Sequence, residues 1–239
     1  MPYFSRLILN LWNLQVQRDL SNLQLLRDTL LNGFDASPAG HNPRRYHGLL
    51  YRVEPIRGDQ DNARLLVQSL HRPNWHHLSK TYLGTSHDVY GNCITCDLSK
   101  IYQSLKQDCI YRFRLRACPT MRIHKGIEER NNYRGQRVNL QSEGECAIWL
   151  ARQGRIHGFQ LLPELYDPQR CDISIDLCTT PPIEQYGFRS VVPSRILNDV
   201  LFQGRLRVID ITKFRQMLLK GIGSAKSYGF GLMTVCENF

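Results

Sequence analysis

The chain has 239 residues, 42% hydrophobic and 10% aromatic, so it can bury one large core or two small ones and is not a disordered polymer. Its 31 Lys and Arg outnumber 21 Asp and Glu for a formal net charge of +10, which favours a polyanionic partner. No apolar run is long enough to cross a bilayer, and the first fourteen residues lack the pattern of a secretory leader, so a cytoplasmic protein without a membrane partner is expected.

Residues 4–9 alternate in character and predict a first strand. Asp19 or Ser21 can cap a helix that carries Leu20, Leu23, Leu26, Leu30 and Leu31 at helical spacing and ends at Asn32-Gly33. A loop with Pro38, Gly40 and Pro43 follows over 35–45. Strands are expected at 48–53 and 64–69 around a turn at 58–62, then an irregular or helical stretch over 71–83 and a fourth strand within 92–98. This β-α-β-β order with a weaker α-β after it is the ferredoxin-like arrangement.

The second half repeats that logic. Residues 109–117 alternate apolar side chains with Arg112, Arg114 and Arg116, as in a half-buried strand with one cationic face. Residues 124–137 are polar, basic and punctuated by glycine, and predict an exposed hairpin. A helix is expected over 143–153 with Cys146, Ile148, Trp149 and Leu150 inward. Strands or loops are expected at 159–166, 173–178 and 183–191, and an extended run over 200–209 that turns at Gln203-Gly204. Thr212 caps a helix with Phe214, Met217, Leu218 and Leu219, and a terminal strand spans 232–235. No low-complexity linker separates the halves. The division falls near residue 99, giving two tandem ferredoxin-like (βαββαβ) units of α+β class over 1–98 and 99–239.

Eight cysteines are scattered, and only Cys93 and Cys96 have C-x-x-C spacing. His124 and His157 are too isolated to complete a zinc site, so no metal or other cofactor is expected. The cysteines read as reduced, mostly buried thiols. The basic residues cluster: Arg112, Arg114, Arg116, Arg122, Lys125, Arg130, Arg134 and Arg137 form one group, and Arg44, Arg45, Arg52 and Arg57 another. Near the C-terminus, Gly221, Gly223, Gly229 and Gly231 surround Lys226. Glycines that bring backbone amides close together beside a lysine suit a phosphate. The spacing is that of neither a P-loop nor a dinucleotide fingerprint.

Together these parts resemble the CasE family, the repeat-RNA endonuclease subunit of type I-E CRISPR Cascade complexes. The resemblance covers nearly the whole chain. It rests on Arg18-Asp19-Leu20 before a helix, Val67-Gln68-Ser69, the run from Tyr111 to Pro119, Arg137-Val138-Asn139-Leu140, Ala147-Ile148-Trp149-Leu150, Phe202-Gln203-Gly204-Arg205-Leu206 and, most specifically, the stretch from Gly221 to Leu232. It implies a protein that binds a CRISPR repeat hairpin on a basic face and cuts the 3′ side of the stem without metal. The ribose 2′-hydroxyl attacks the adjacent phosphate to leave a 2′,3′-cyclic phosphate, and the enzyme stays on its product with other Cascade subunits as partners.

Such cleavage needs a base for the 2′-hydroxyl, an acid for the departing 5′-oxygen and cations for the phosphorane. The resemblance places a histidine on the first helix, often with a tyrosine one turn earlier; here those positions hold Arg27 and Gln24. Three readings follow. Arg27 stabilises the phosphorane as a permanent cation. Alternatively, histidine has moved to the following loop, where His41 and His47 flank Arg44 and Arg45. Or the protein only binds the hairpin. A structural Cascade backbone protein fits less well, given the glycine-rich loop. Arg122, Lys125, Arg130, Arg134 and Arg137 are the expected stem contacts; Arg112, Arg114 and Arg116 are expected to track the RNA backbone or partly to brace acidic neighbours. Gly221, Gly223, Gly229 and Lys226 are expected near the cut phosphate.

Overall fold

In the computed structural model, the described residues are 1–84, 91–122, 137–167, 169–178 and 199–237. They form two large antiparallel sheets drawn from separate stretches of chain, 3–97 and 110–237, and a smaller two-stranded one. The first has the order β2-β3-β1-β4, built from β1 (Tyr3–Asn10), β2 (Leu50–Ile56), β3 (Asp59–Ser69) and β4 (Cys93–Asp97). This is the ferredoxin-like order, with the first and third strands central. The second repeats it. β5 (Ile110–Ala117) and β10 (Asp199–Val208) are central, and β11 (Met233–Glu237) flanks β5. The remaining edge is shared by β8 (Phe159–Leu161) and β9 (Ile173–Cys178), which pair with opposite ends of β10. The chain is therefore two tandem ferredoxin-like units.

The first helical segment is two helices rather than one. α1 (Leu14–Ser21) is capped by Asn13, and α2 (Leu23–Leu31) by Asn22, whose extended backbone breaks the run. Asp19 is no cap. It lies inside α1, 3% exposed, and its carboxylate accepts from Thr29 Oγ1 at 2.8 Å and Tyr82 Oη at 2.9 Å. That ties both helices to the irregular stretch before β4. The loop after α2 contains a short helix, α3 (Pro43–Tyr46), and α4 (Ser99–Ser104) follows β4; neither was expected.

α5 (Glu143–His157) opens on a capping box between Ser142 and Glu145 and closes at Gly158. Ile148 faces solvent at 73% exposure, whereas Cys146, Trp149 and Leu150 are buried as expected. The expected turn at Gln203-Gly204 is absent. β10 runs straight through, and Gly204 instead allows the backbone of Asp172 to approach closely. α6 (Ile211–Lys220) is capped by Asp210, ahead of the expected Thr212. Residues 183–191 lie outside the described region. β6 (Thr120–Arg122) and β7 (Arg137–Asn139) form the base of the basic hairpin, pairing Arg122 with Arg137. Seven described cysteines are free; only Cys118 and Cys146 are buried, so the thiols are less sheltered than expected.

Alternation along β2 decides how the units meet. Leu49, Tyr51 and Val53 enter the N-terminal core. Leu50 packs with Leu66 and Leu232 of the other unit, and Arg52 and Glu54 are buried on the same face. Arg52, 2% exposed, donates to Glu54, to the Arg114 and Leu232 carbonyls and to Thr234 Oγ1, each at 2.8–2.9 Å. Gln68 adds a second tie, donating to the Leu218 carbonyl and accepting from Tyr102.

Candidate nucleic-acid interface

The glycine-rich loop follows α6 and packs on the N-terminal unit. Residues Lys226–Tyr228 form a 3₁₀ turn between two left-handed residues, Ala225 and Gly229. The turn packs against α2. Tyr51, fully buried, lies within hydrogen-bond distance of the Leu23 carbonyl of α2 (2.8 Å) and the Ser227 carbonyl of the turn (3.0 Å). Burial pushes its phenol far above the usual range. Gln24 Nε2 donates to Tyr228 Oη at 2.8 Å. The helix and the loop are thus pinned to each other across the junction of the two units.

Glycine is required here for two different reasons. Gly229 has φ +78°, and a Cβ would lie 2.9 Å from the Tyr51 ring. Gly221 has φ +71°, and a Cβ would meet Leu50 at 2.7 Å and the Gly231 carbonyl at 3.0 Å. Both are set closely against neighbouring groups of the fold. Gly223 rests against Trp149. The loop amides lie between them. The amides of Ser224, Ala225, Lys226 and Ser227 donate to no acceptor among the described residues. Ala225 among them is left-handed at φ 56° and ψ 27°, the kind of residue around which anion nests form.

Cations converge on that nest. Burial, then repulsion from Arg44, Arg45 and Lys220, lowers the Lys226 ammonium below its ordinary range. Arg44 is lowered by burial first and then by Arg45 and Arg27, with Tyr51 opposing. Arg27, Arg44, Arg45 and Lys226 therefore share one field, although they come from α2, α3 and the loop. Arg27 also bonds Asp28 through Nε at 2.9 Å. That is one carboxylate against four cations, which leaves a net positive site for an anion.

His47 is not brought to it. His47 is 3% exposed, its Nδ1 3.1 Å from His71 Nδ1 and its ring stacked 4.6 Å from Phe34. Its remaining partners are Tyr46 and Asp35. The proposed exchange of Arg and His between helix and loop fails for His47, because an aromatic cluster encloses the ring. His41 is exposed beside Tyr46 and near the Ala39 carbonyl.

The arginine face of β5 follows the bracing alternative at two of its three positions. Arg116 is 8% exposed, paired with Asp199, and donates to the Val53 carbonyl. Arg114 lies 3.3 Å from Glu54, without hydrogen-bond alignment. These two brace the junction between the units, because β5 packs that face on β2. Arg112, at the outer end, is exposed. Arg122 is exposed at the hairpin base. Lys125, Arg130 and Arg134 lie outside the described residues, and of Arg137 only the backbone is described. Sequence reasoning missed Tyr51, Tyr228 and Gln24 as a linked set. Tyr228 stood inside the glycine-rich stretch, but only the fold sets it against α2.

Fold and site define a tandem ferredoxin-like protein with a cationic anion nest where its two units meet. The chain belongs to the CRISPR associated protein family, which it matches over residues 2–236, and the CasE resemblance extends over its full length. It is 29% identical over 236 residues to the CRISPR-associated endoribonuclease Cse3 of Thermus thermophilus, covering 98% of this chain and 99% of the relative. The structure of Thermus thermophilus Cse3 bound to an RNA representing a pre-cleavage complex superposes with TM-score 0.73 at 27% identity, covering 98% of both chains. Cas6e of Escherichia coli K-12 shares the fold at TM-score 0.58 and 22% identity over the whole of both chains.

Proposed function

We propose that this chain is a metal-independent endoribonuclease that binds the hairpin of a CRISPR repeat RNA and cuts precursor RNA to leave a 2′,3′-cyclic phosphate. The observation that carries this is the run of free amides at 224–227 beside the mutually repelling cations Arg27, Arg44, Arg45 and Lys226, in a chain similar throughout to an endoribonuclease solved with RNA. A phosphate seated on the nest has its negative charge matched on several sides, and the extra charge of a phosphorane is matched better still. Arg27 serves as a charge stabiliser. Arg122, Lys125, Arg130, Arg134 and Arg137 grip the stem. The division at residue 98, work in the cytoplasm and assembly with other Cascade subunits on the product RNA belong to the same proposal and rest on the CasE resemblance.

The test is cleavage of the chain's cognate repeat RNA in EDTA, beside a substrate with a 2′-deoxy residue at the cut. Cleavage of the ribose substrate alone, with a cyclic phosphate end, is expected. Loss of cleavage in EDTA would remove the metal-free reading. A second reading is a hairpin-binding subunit without cleavage. It is favoured by one observation, the arginine at the helix position where the CasE resemblance places histidine. Tight binding with neither RNA cut would select it.

A further inference from the structure

An RNA cut by its own 2′-hydroxyl needs a proton on the departing 5′-oxygen, and the site holds few groups able to give one. Arginines do not titrate, which removes Arg27, Arg44 and Arg45. Tyr51 is fully buried with its hydroxyl between two backbone carbonyls. His47 is enclosed with His71, and His77 is within hydrogen-bond distance of the Asn74 and Thr29 carbonyls through its two ring nitrogens. His157, on α5, senses Lys226, but burial comes first among the causes that hold it low. Lys226 and the exposed His41 can also donate a proton, but among the described residues neither is hydrogen-bonded to α2, whereas Tyr228 is. It is partly exposed, it ends the same turn that carries Lys226, and its oxygen accepts from Gln24. The phenolic proton is therefore left to donate outward, and no described residue takes it. Gln24 stands one turn before Arg27 on α2, so the phenol, Arg27 and the nest border the same space.

Resting on the cleavage reading above, we propose that Tyr228 is a catalytic residue: its hydroxyl meets the scissile phosphate and passes its proton to the departing 5′-oxygen, with Gln24 as the positioning residue. As the 2′-oxygen bonds to phosphorus, the bond from phosphorus to the 5′-oxygen breaks. The 2′-hydroxyl proton passes to water, the Tyr228 proton completes the new 5′-hydroxyl, and the phenolate takes a proton back from water. Arg27, Arg44 and Lys226 stabilise the charge on the phosphorane meanwhile. The role of proton donor is thus carried by the loop instead of the helix.

The experiment is single-turnover cleavage of the repeat RNA by wild type, Tyr228→Phe and Gln24→Ala, with a matched substrate carrying sulfur in place of the 5′-bridging oxygen. Sulfur leaves as a thiolate and needs no proton. With the ordinary RNA, Tyr228→Phe should cut about 100-fold more slowly or worse, and Gln24→Ala about 10-fold more slowly. With the sulfur substrate both variants should approach wild type to within about threefold. Affinity for uncleavable 2′-deoxy RNA should stay within about twofold, and the thermal unfolding midpoint should not move, since the change removes one hydroxyl from a partly exposed ring. A Tyr228→Phe that cuts ordinary RNA at the wild-type rate overturns the inference and leaves the enzyme reading standing. So does a defect that persists undiminished on the sulfur substrate. A wild-type protein that binds and cuts neither RNA overturns the enzyme reading, and this inference with it.

Discussion

Gly229→Ala separates two reasons for a glycine in the nest loop. The backbone there has φ +78° and ψ +18°, where an L-residue costs about 1–2 kcal/mol. The added methyl would also sit 2.9 Å and 3.2 Å from two carbons of the Tyr51 ring. That ring has no exposed surface, and its hydroxyl is held between the Leu23 and Ser227 carbonyls, so it has nowhere to retreat. Overpacking of this kind costs about 1–3 kcal/mol. The expected total is about 2–5 kcal/mol. Gly40→Ala is the control, because Gly40 has φ +81° with nothing within 4 Å of its Cβ, and should cost only the backbone part of about 1–2 kcal/mol. Urea unfolding of both variants gives the difference, and RNA affinity should drop with Gly229→Ala because the nest is displaced from α2. Equal destabilisation by the two substitutions would refute the packing argument.

Arg52→Met should destabilise by about 3–5 kcal/mol, since it removes the hydrogen-bonded partner of the buried Glu54 carboxylate and leaves it only Arg114 at 3.3 Å and Arg64 at 3.9 Å; adding Glu54→Leu should recover part of the loss. A single-variant loss below about 1 kcal/mol in chemical unfolding would mean that the buried pair does not hold the units together. Arg44→Ala and Lys226→Ala should each weaken binding of 2′-deoxy repeat RNA and lower the salt slope by about one, and an unaltered slope would take that side chain off the phosphate. His47 is held below its ordinary range by burial, then by His71, with Asp35 opposing. The unfolded chain therefore takes up this proton near about pH 6.5 while the folded one resists until lower pH, and stability falls as pH drops through that window. His47→Gln should flatten the decline of the melting temperature between about pH 7 and about pH 5; an identical slope would exclude His47 as its source.

Strand and helix patterns carried most of the architecture. Alternation along β1, β2 and β5 and leucines at helical spacing are local properties, so they were legible one segment at a time. Errors fell where a local pattern had more than one solution. Leucine spacing from Leu20 to Leu31 fits one helix or two, and only the extended Asn22 chooses two. A glycine inside residues 200–209 reads as a turn, yet Gly204 serves a close approach from Asp172 across the sheet. Ile148 matched the inward face of α5 by type but not by the side the sheet covers.

The sequence by itself determined the tandem α+β plan, the cationic excess, the glycine-rich loop and the resemblance to CasE. Tertiary structure alone decided which of the many basic residues form the site. Arg116 and Arg114 alternate with apolar residues just as a solvent-facing stripe would, but the first sheet packs against their face, burying Arg116 and half-covering Arg114, and sets them to bracing Asp199 and Glu54. Arg27, Arg44 and Lys226 are far apart in the chain, and they share a field because Tyr51 joins α2 to the loop. His47 passed as a proton carrier by residue type and is excluded by the rings around it. Charge and periodicity are written residue by residue, whereas a site at the junction of two units depends on which faces meet, and no single segment records that.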